Sequence, residues 1–120
     1  MRRVLLASAA GLLMVTCIVT ARAQAPAAPA FASKVLVDNE RVRIQRLTVP
    51  AGFRETLQVV PNDQIAVQVT PGDLDVTISG QKTAGRIDPG TTFFVPKNAP
   101  HQFLNTGKSP YDVVLVMLKQ

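Results

Sequence analysis

His101 is the one histidine of the chain, and Cys17 the one cysteine. An imidazole titrates near neutrality and can act as a general base, a metal ligand or a hydrogen-bonding group. Its partners decide which. Nucleophilic chemistry would need a hydroxyl or thiol oriented beside it, but Ser33, Ser79 and Ser109 fall in turns or a linker with no nucleophile motif around them. Asp73 and Asp75 look like paired carboxylates. On a strand, however, they share the face opposite Leu74 and Val76, which turns them toward water. Glu55 is the only carboxylate between Gly52 and Pro61. No residue is therefore assigned a catalytic role. Two readings of His101 stand side by side: a buried histidine satisfied by its neighbours, and a polar group at the bottom of a small-molecule pocket.

The elements that would position His101 are strands. Lys34 to Val37 is short and β-branched, and Asp38-Asn39-Glu40 is a turn. In Val42 to Val49, Val42 and Ile44 share one face and Leu47 and Val49 the other, so a bulge or bend is expected between Ile44 and Leu47. Gln64 to Val69 alternates, with Ile65, Val67 and Val69 against Gln64, Ala66 and Gln68. Leu74 to Ile78 alternates as well. Ser79 to Lys82 and Asp88-Pro89-Gly90 are turns. Thr91 to Val95 and His101 to Asn105 are strands closed by Pro96 and by Thr106-Gly107. Val113 to Leu118 is a continuous apolar run, expected for a strand covered on both faces. About eight short strands between Gly/Pro turns predict an all-β domain, and a double-sheet jelly-roll barrel suits a chain this short. In the strand from His101, the side chains of His101, Phe103 and Asn105 share a face. Asn105 and Gly107 read as turn formers.

Gly90 to Asn105, GTTFFVPKNAPHQFLN, resembles the second conserved motif of the cupins, G-x5-P-x-G-x2-H-x3-N. Gly90, Pro96, His101 and Asn105 stand at its spacing, and Asn98 replaces the middle glycine. Asparagine is the best non-glycine residue where φ must be positive. The segments VLVDNERVRIQRLTVPAG and NTGKSPYDVVLVMLK resemble the two ends of small single-domain cupins. The resemblance implies a double-stranded β-helix barrel with His101 pointing inward. It also implies a first motif, G-x5-H-x-H-x3,4-E-x6-G, supplying two His and one Glu to a metal. Counted from Gly52, those positions fall on Gln58, Val60 and Gln64. Valine binds no metal and neutral amides are poor transition-metal ligands, so His101 alone remains of the set. The expectation is a barrel with no cofactor and no standard metal site, His101 being the one ligand if a metal binds at all. Its pocket would be formed by His101, Gln58, Gln64 and Phe103. A non-catalytic domain binding a small molecule or a partner comes first. The alternative is a cupin-type enzyme, either oxygenase- or isomerase-like with a metal or metal-free with His101 as base.

Residues 1–23 read as a secretory signal peptide: Arg2 and Arg3, an apolar stretch from Val4 to Thr20, and Ala21-Arg22-Ala23 as a small-x-small exit. The alternative is a retained membrane anchor, since the run is near the ~17-residue limit for spanning a bilayer. A lipid anchor at Cys17 is disfavoured by Thr16 before it. Residues 24–33 read as an Ala/Pro-rich linker, with Phe31 docking on the domain, and 34–120 as the barrel. Cleavage would remove the cysteine and leave 10 basic and 8 acidic residues, a net charge of +2. That is a weak case for nucleic acid, and Arg41, Arg43 and Arg46 read as a solvated strand face. The expected compartment is periplasmic or extracellular, without a stable membrane anchor after cleavage. The expected partners are a small molecule and a second copy of the chain paired through sheet edges.

Overall fold

The computed structural model describes residues 31–119. Residues 1–23, read above as a signal peptide, and residues 24–30 of the segment read as a linker lie outside them. Eight strands run in chain order: β1 (Ala32–Asp38), β2 (Val42–Val49), β3 (Gln64–Gln68), β4 (Gly72–Ile78), β5 (Gln81–Ile87), β6 (Thr92–Val95), β7 (His101–Asn105) and β8 (Tyr111–Leu118). They form two antiparallel sheets, one of five strands ordered β1-β2-β8-β3-β6 and one of three ordered β5-β4-β7. This is the all-β jelly-roll barrel expected from the strand pattern.

Two corrections follow from register. β2 pairs with β8 without a slip from Val42 to Val49, and the bulge lies in β1, between Val35 and Val37. The change of apolar face along β2 has another cause. Leu47 and Val49 turn into the barrel, while Val42 and Ile44 turn outward onto Leu118 and Val116. The outer side of β8 is accordingly only half-buried at Val114 and Val116, so the apolar run is not covered on both faces. β5 carries no sequence signal: it is an exposed edge whose one buried residue is Ile87. β1 begins at Ala32, so the last two residues of the segment read as linker pair with Thr48 and Leu47.

The barrel is closed by side chains from both sheets. Leu74 and Val76 of β4, Val49 of β2, Ile87 of β5 and Tyr111 of β8 form the buried cluster, and Phe53, Phe93 and Phe103 pack on it. Asn98 sits at φ 62 and Gly90 at φ 86, the left-handed turns that the second motif requires. Asn105 fixes the corner beneath the site. Its side-chain amide donates to the carbonyls of Val49, Pro50 and Ser109, and its oxygen accepts from Gly107 N–H. The motif's asparagine thus ties together β2, β7 and the approach to β8.

Candidate functional site

The segment between β2 and β3 is what brings polar groups to the barrel mouth. It runs along the free edge of β7, bridging Arg54 to Leu104 and Gln58 to His101. The Gln58–His101 bridge is reciprocal, with both N–H···O bonds at 2.9 Å. Asn105 N–H donates to Phe53 O at the other end. This pinning sets Phe53 and Glu55, two residues apart, along one cavity, and the alternation breaks before Gln58, which joins them while Leu57 turns outward.

That cavity has a volume of about 100 Å³ and opens beside Phe31 and Phe53. Its walls are apolar, including Leu47 and Val49 from β2, Val113 and Leu115 from β8, and Leu74 from β4. All four residues expected at the pocket line it: His101, Gln58, Gln64 and Phe103. Gln58 is held there by its backbone and is otherwise exposed. Val60, the remaining motif position, does not line the cavity; its carbonyl accepts from Asn98 N–H. Phe31 does dock, stacking on Phe53 with ring centroids 5.3 Å apart.

The polar groups differ in how they are satisfied. His101 is 3 % exposed, and its Nδ1 lies 3.1 Å from the carbonyl oxygen of Ala99. A carbonyl only accepts, so Nδ1 carries the hydrogen, and in the neutral tautomer Nε2 presents the lone pair. Nε2 has no hydrogen-bond partner among the described residues. Phe103 meets the ring edge-on, with centroids 6.1 Å apart. Gln64 is buried, yet its carboxamide has no partner among the described residues. Gln68, also buried, donates to Thr70 O at 2.8 Å.

Two groups in the cavity were not singled out from the sequence. Glu55 accepts from Phe103 N–H at 2.9 Å through one oxygen. Burial pushes its carboxyl above the ordinary glutamate range, against the opposing pull of that N–H and of His101. Tyr111 is 2 % exposed, and burial, with the Glu55 charge behind it, pushes its phenol well above the usual range. The signal for Glu55 was its position: three residues before Gln58, on a segment whose path the sequence does not specify. Tyr111 lies two residues before the apolar run from Val113, with nothing to mark its ring as a cavity wall.

The donor set does not fit the metal centre that the motif resemblance implies. The cavity holds one imidazole, one carboxylate already engaged by a backbone N–H, and neutral amides. Among the described residues no three His, Cys, Asp or Glu side chains converge.

No family model matches the sequence, and no curated protein matches it. Solved structures do. A cupin domain from Bordetella pertussis superposes with a TM-score of 0.65 at 22 % identity, covering 77 % of this chain and 96 % of that one. KdgF from a Halomonas species gives a TM-score of 0.68 at 20 % identity, covering 78 % and 84 %. An RmlC-like cupin from Shewanella frigidimarina gives 0.66 at 16 % identity, covering 75 % and 77 %. At such identities the likeness speaks for architecture. With the Gly90–Asn105 motif, matched at four of its five positions, and the two-sheet topology, it establishes that this chain has the fold of the cupin superfamily.

Proposed function

We propose that this chain is an exported, non-catalytic cupin that binds a small molecule in its barrel without using a metal. One observation carries the reading. The cavity is apolar-walled and contains two polar side chains with free hydrogen-bonding atoms: neither His101 Nε2 nor the Gln64 carboxamide has a partner among the described residues. Polar atoms left free in this way can meet those of a ligand, and a few polar groups in apolar walls is the usual composition of a small-molecule site.

The enzyme alternative draws on the same ring. A neutral His101 with its Nε2 lone pair toward the cavity is a competent base in form. No oriented nucleophile or metal triad accompanies it among the described residues. The interaction reading draws on β1, an edge strand exposed throughout, with Val35, Leu36 and Val37 each more than 40 % exposed. Lys34 and the bulge at Val35/Val37 are features that blunt an edge against pairing, so the pocket takes precedence.

The test is metal content of the secreted chain, as isolated and after exposure to iron, manganese, nickel, copper and zinc. Substoichiometric metal throughout, with small-molecule binding that His101→Ala removes, is expected. About one metal per chain, lost in His101→Ala, would overturn the metal-free reading and put the enzyme first. Mass spectrometry of the same sample checks export: a mature start near Gln24 is expected, and a retained residue 1 contradicts cleavage.

A further inference from the structure

The aromatic residues are distributed in an unusual way. The sequence has five phenylalanines and one tyrosine. Phe31, Phe53, Phe93, Phe103 and Tyr111 all line this cavity; Phe94 does not, and is 54 % exposed. The rings are set at different angles. Phe31 and Phe53 stack at the mouth, while Phe93 and Phe103 meet edge to face at 6.3 Å. Charge is distributed unevenly too. The chain has 13 basic and 8 acidic residues, yet among the described residues Glu55 is the only Asp, Glu, Lys or Arg lining the cavity.

We propose that the cavity is a binding site for small organic ammonium ions, with the five rings as its walls and Glu55 as the counter-ion. This deepens the pocket reading above and rests on it. Aromatic faces carry negative potential and attract a cation, and walls of several rings are a recurrent way to hold an alkylammonium group. A carboxylate taken out of water needs a partner. Glu55 has one oxygen on Phe103 N–H, and among the described residues no Lys or Arg lines the cavity beside it, His101 being the one basic side chain there. Arg43 shares the inner face of the five-stranded sheet, but it sits two strands from Gln64, across Met117, and does not line the cavity. The remaining polar groups can serve N–H donors: Nε2 of a neutral His101 and the Gln64 carboxamide oxygen accept, while the amide N–H groups and the Tyr111 hydroxyl can also donate. A carboxylate or phosphate ligand would meet the Glu55 charge, and among the described residues no Lys or Arg lines the cavity to offset it.

Size limits the ligand. The cavity, about 100 Å³, is smaller than the ~150 Å³ engineered cavity that accommodates benzene. A short-chain amine head fits inside, and a longer substituent would leave past Phe31 and Phe53.

The experiment is an NMR titration of the His101 ring and the aromatic signals with three ligands of similar shape: propylammonium, 1-propanol and propionate. Propylammonium is expected to bind about tenfold more tightly than 1-propanol, with no saturable shift from propionate. Glu55→Gln removes the charge but keeps an oxygen for Phe103 N–H. It is expected to bring the amine and the alcohol to within about threefold of each other. Phe31 is 43 % exposed, so Phe31→Ala spares the core and is expected to weaken the amine by about threefold or more. Propionate binding as tightly as the amine, or an amine preference that survives Glu55→Gln, would overturn the ammonium assignment. Equal binding of amine and alcohol would overturn it too while leaving a small-molecule pocket. Failure of all three to shift His101 would overturn the pocket reading itself.

Discussion

β3 and β4 are neighbours in the chain and both alternate cleanly, yet their polarity is opposite. β4 puts Gly72, Leu74 and Val76 inside and turns Asp73 and Asp75 outward to Arg86 and Lys82. β3 buries Gln64, Ala66 and Gln68 and turns Ile65 and Val67 outward. On that outer face the ladders line up Val37, Ile44, Val116, Ile65 and Phe94, one apolar residue from each of the five strands. A strand chosen only for stability would follow β4. β3 follows the inverse pattern because its inner face is a cavity wall, where amides are useful. The violation of a local rule marks the site.

The largest predicted effect tests the stabilising strand. Leu74 is 1 % exposed and lies in the central cluster. Leu74→Ala should cost about 2–5 kcal/mol, read as a lowered midpoint in urea or thermal unfolding. Gly72 adds to the crowding there, since a Cβ on it would sit 2.9 Å from Leu74 Cδ1. A cost below ~1 kcal/mol would mean that the interior of β4 is not close-packed, and the contrast with β3 would fail.

The matching change in β3 should have the other sign. Gln64→Leu replaces a side chain whose carboxamide has no partner among the described residues with an apolar group of similar size. It should leave stability unchanged or raise it by up to about 1 kcal/mol, while ligand binding in the cavity weakens. Loss of more than ~1 kcal/mol in unfolding would show that the amide is satisfied after all and that β3 is built for stability.

Much of this was legible beforehand, for physical reasons that differ by residue. The spacing of Gly90, Asn98 and His101 reports backbone requirements, a left-handed turn and an inward strand, and those are local. Gln58 and Gln64 could be placed on the cavity because they occupy ligand positions of a motif, even without its ligands. Glu55 escaped because its position depends on bridges from Arg54 and Gln58 to β7, contacts between segments 43–50 residues apart that no local pattern encodes. The slip in β2 was misread for a related reason. Alternation reports which face a side chain occupies. It does not report that an outward face can be apolar as well, as at Ile44 and Val116.

The smallest predicted effect concerns the junction where the pattern inverts. Asp112 of β8 holds the β3–β4 connection through its backbone: Val69 and Thr70 N–H donate to its carbonyl, and its own N–H donates to Thr70 Oγ1. Its side chain faces outward, accepting from Arg46 Nη2 at 2.7 Å and from Thr48 Oγ1 at 2.8 Å. The Arg46 hydrogen bond, then Thr48, holds its carboxyl below the ordinary value of 3.8. A depressed native pKa contributes stability above pH 3.8 that is lost as pH falls through the lower folded value. Glu55 runs the other way: its raised pKa subtracts stability as pH climbs from 4.5 toward the folded value, with His101 and Tyr111 as its titratable neighbours in the cavity. Because Arg46 is 46 % exposed and solvent screens the pair, Asp112→Asn should cost under ~1 kcal/mol at neutral pH. That difference from the unsubstituted chain should shrink toward zero in unfolding curves taken below pH 3.8, since the protonated carboxyl and the amide are then alike in charge. A cost that persists undiminished in acid would move the role of Asp112 from its charge to its geometry. The inversion between β3 and β4 would then depend on how this side chain shapes the junction.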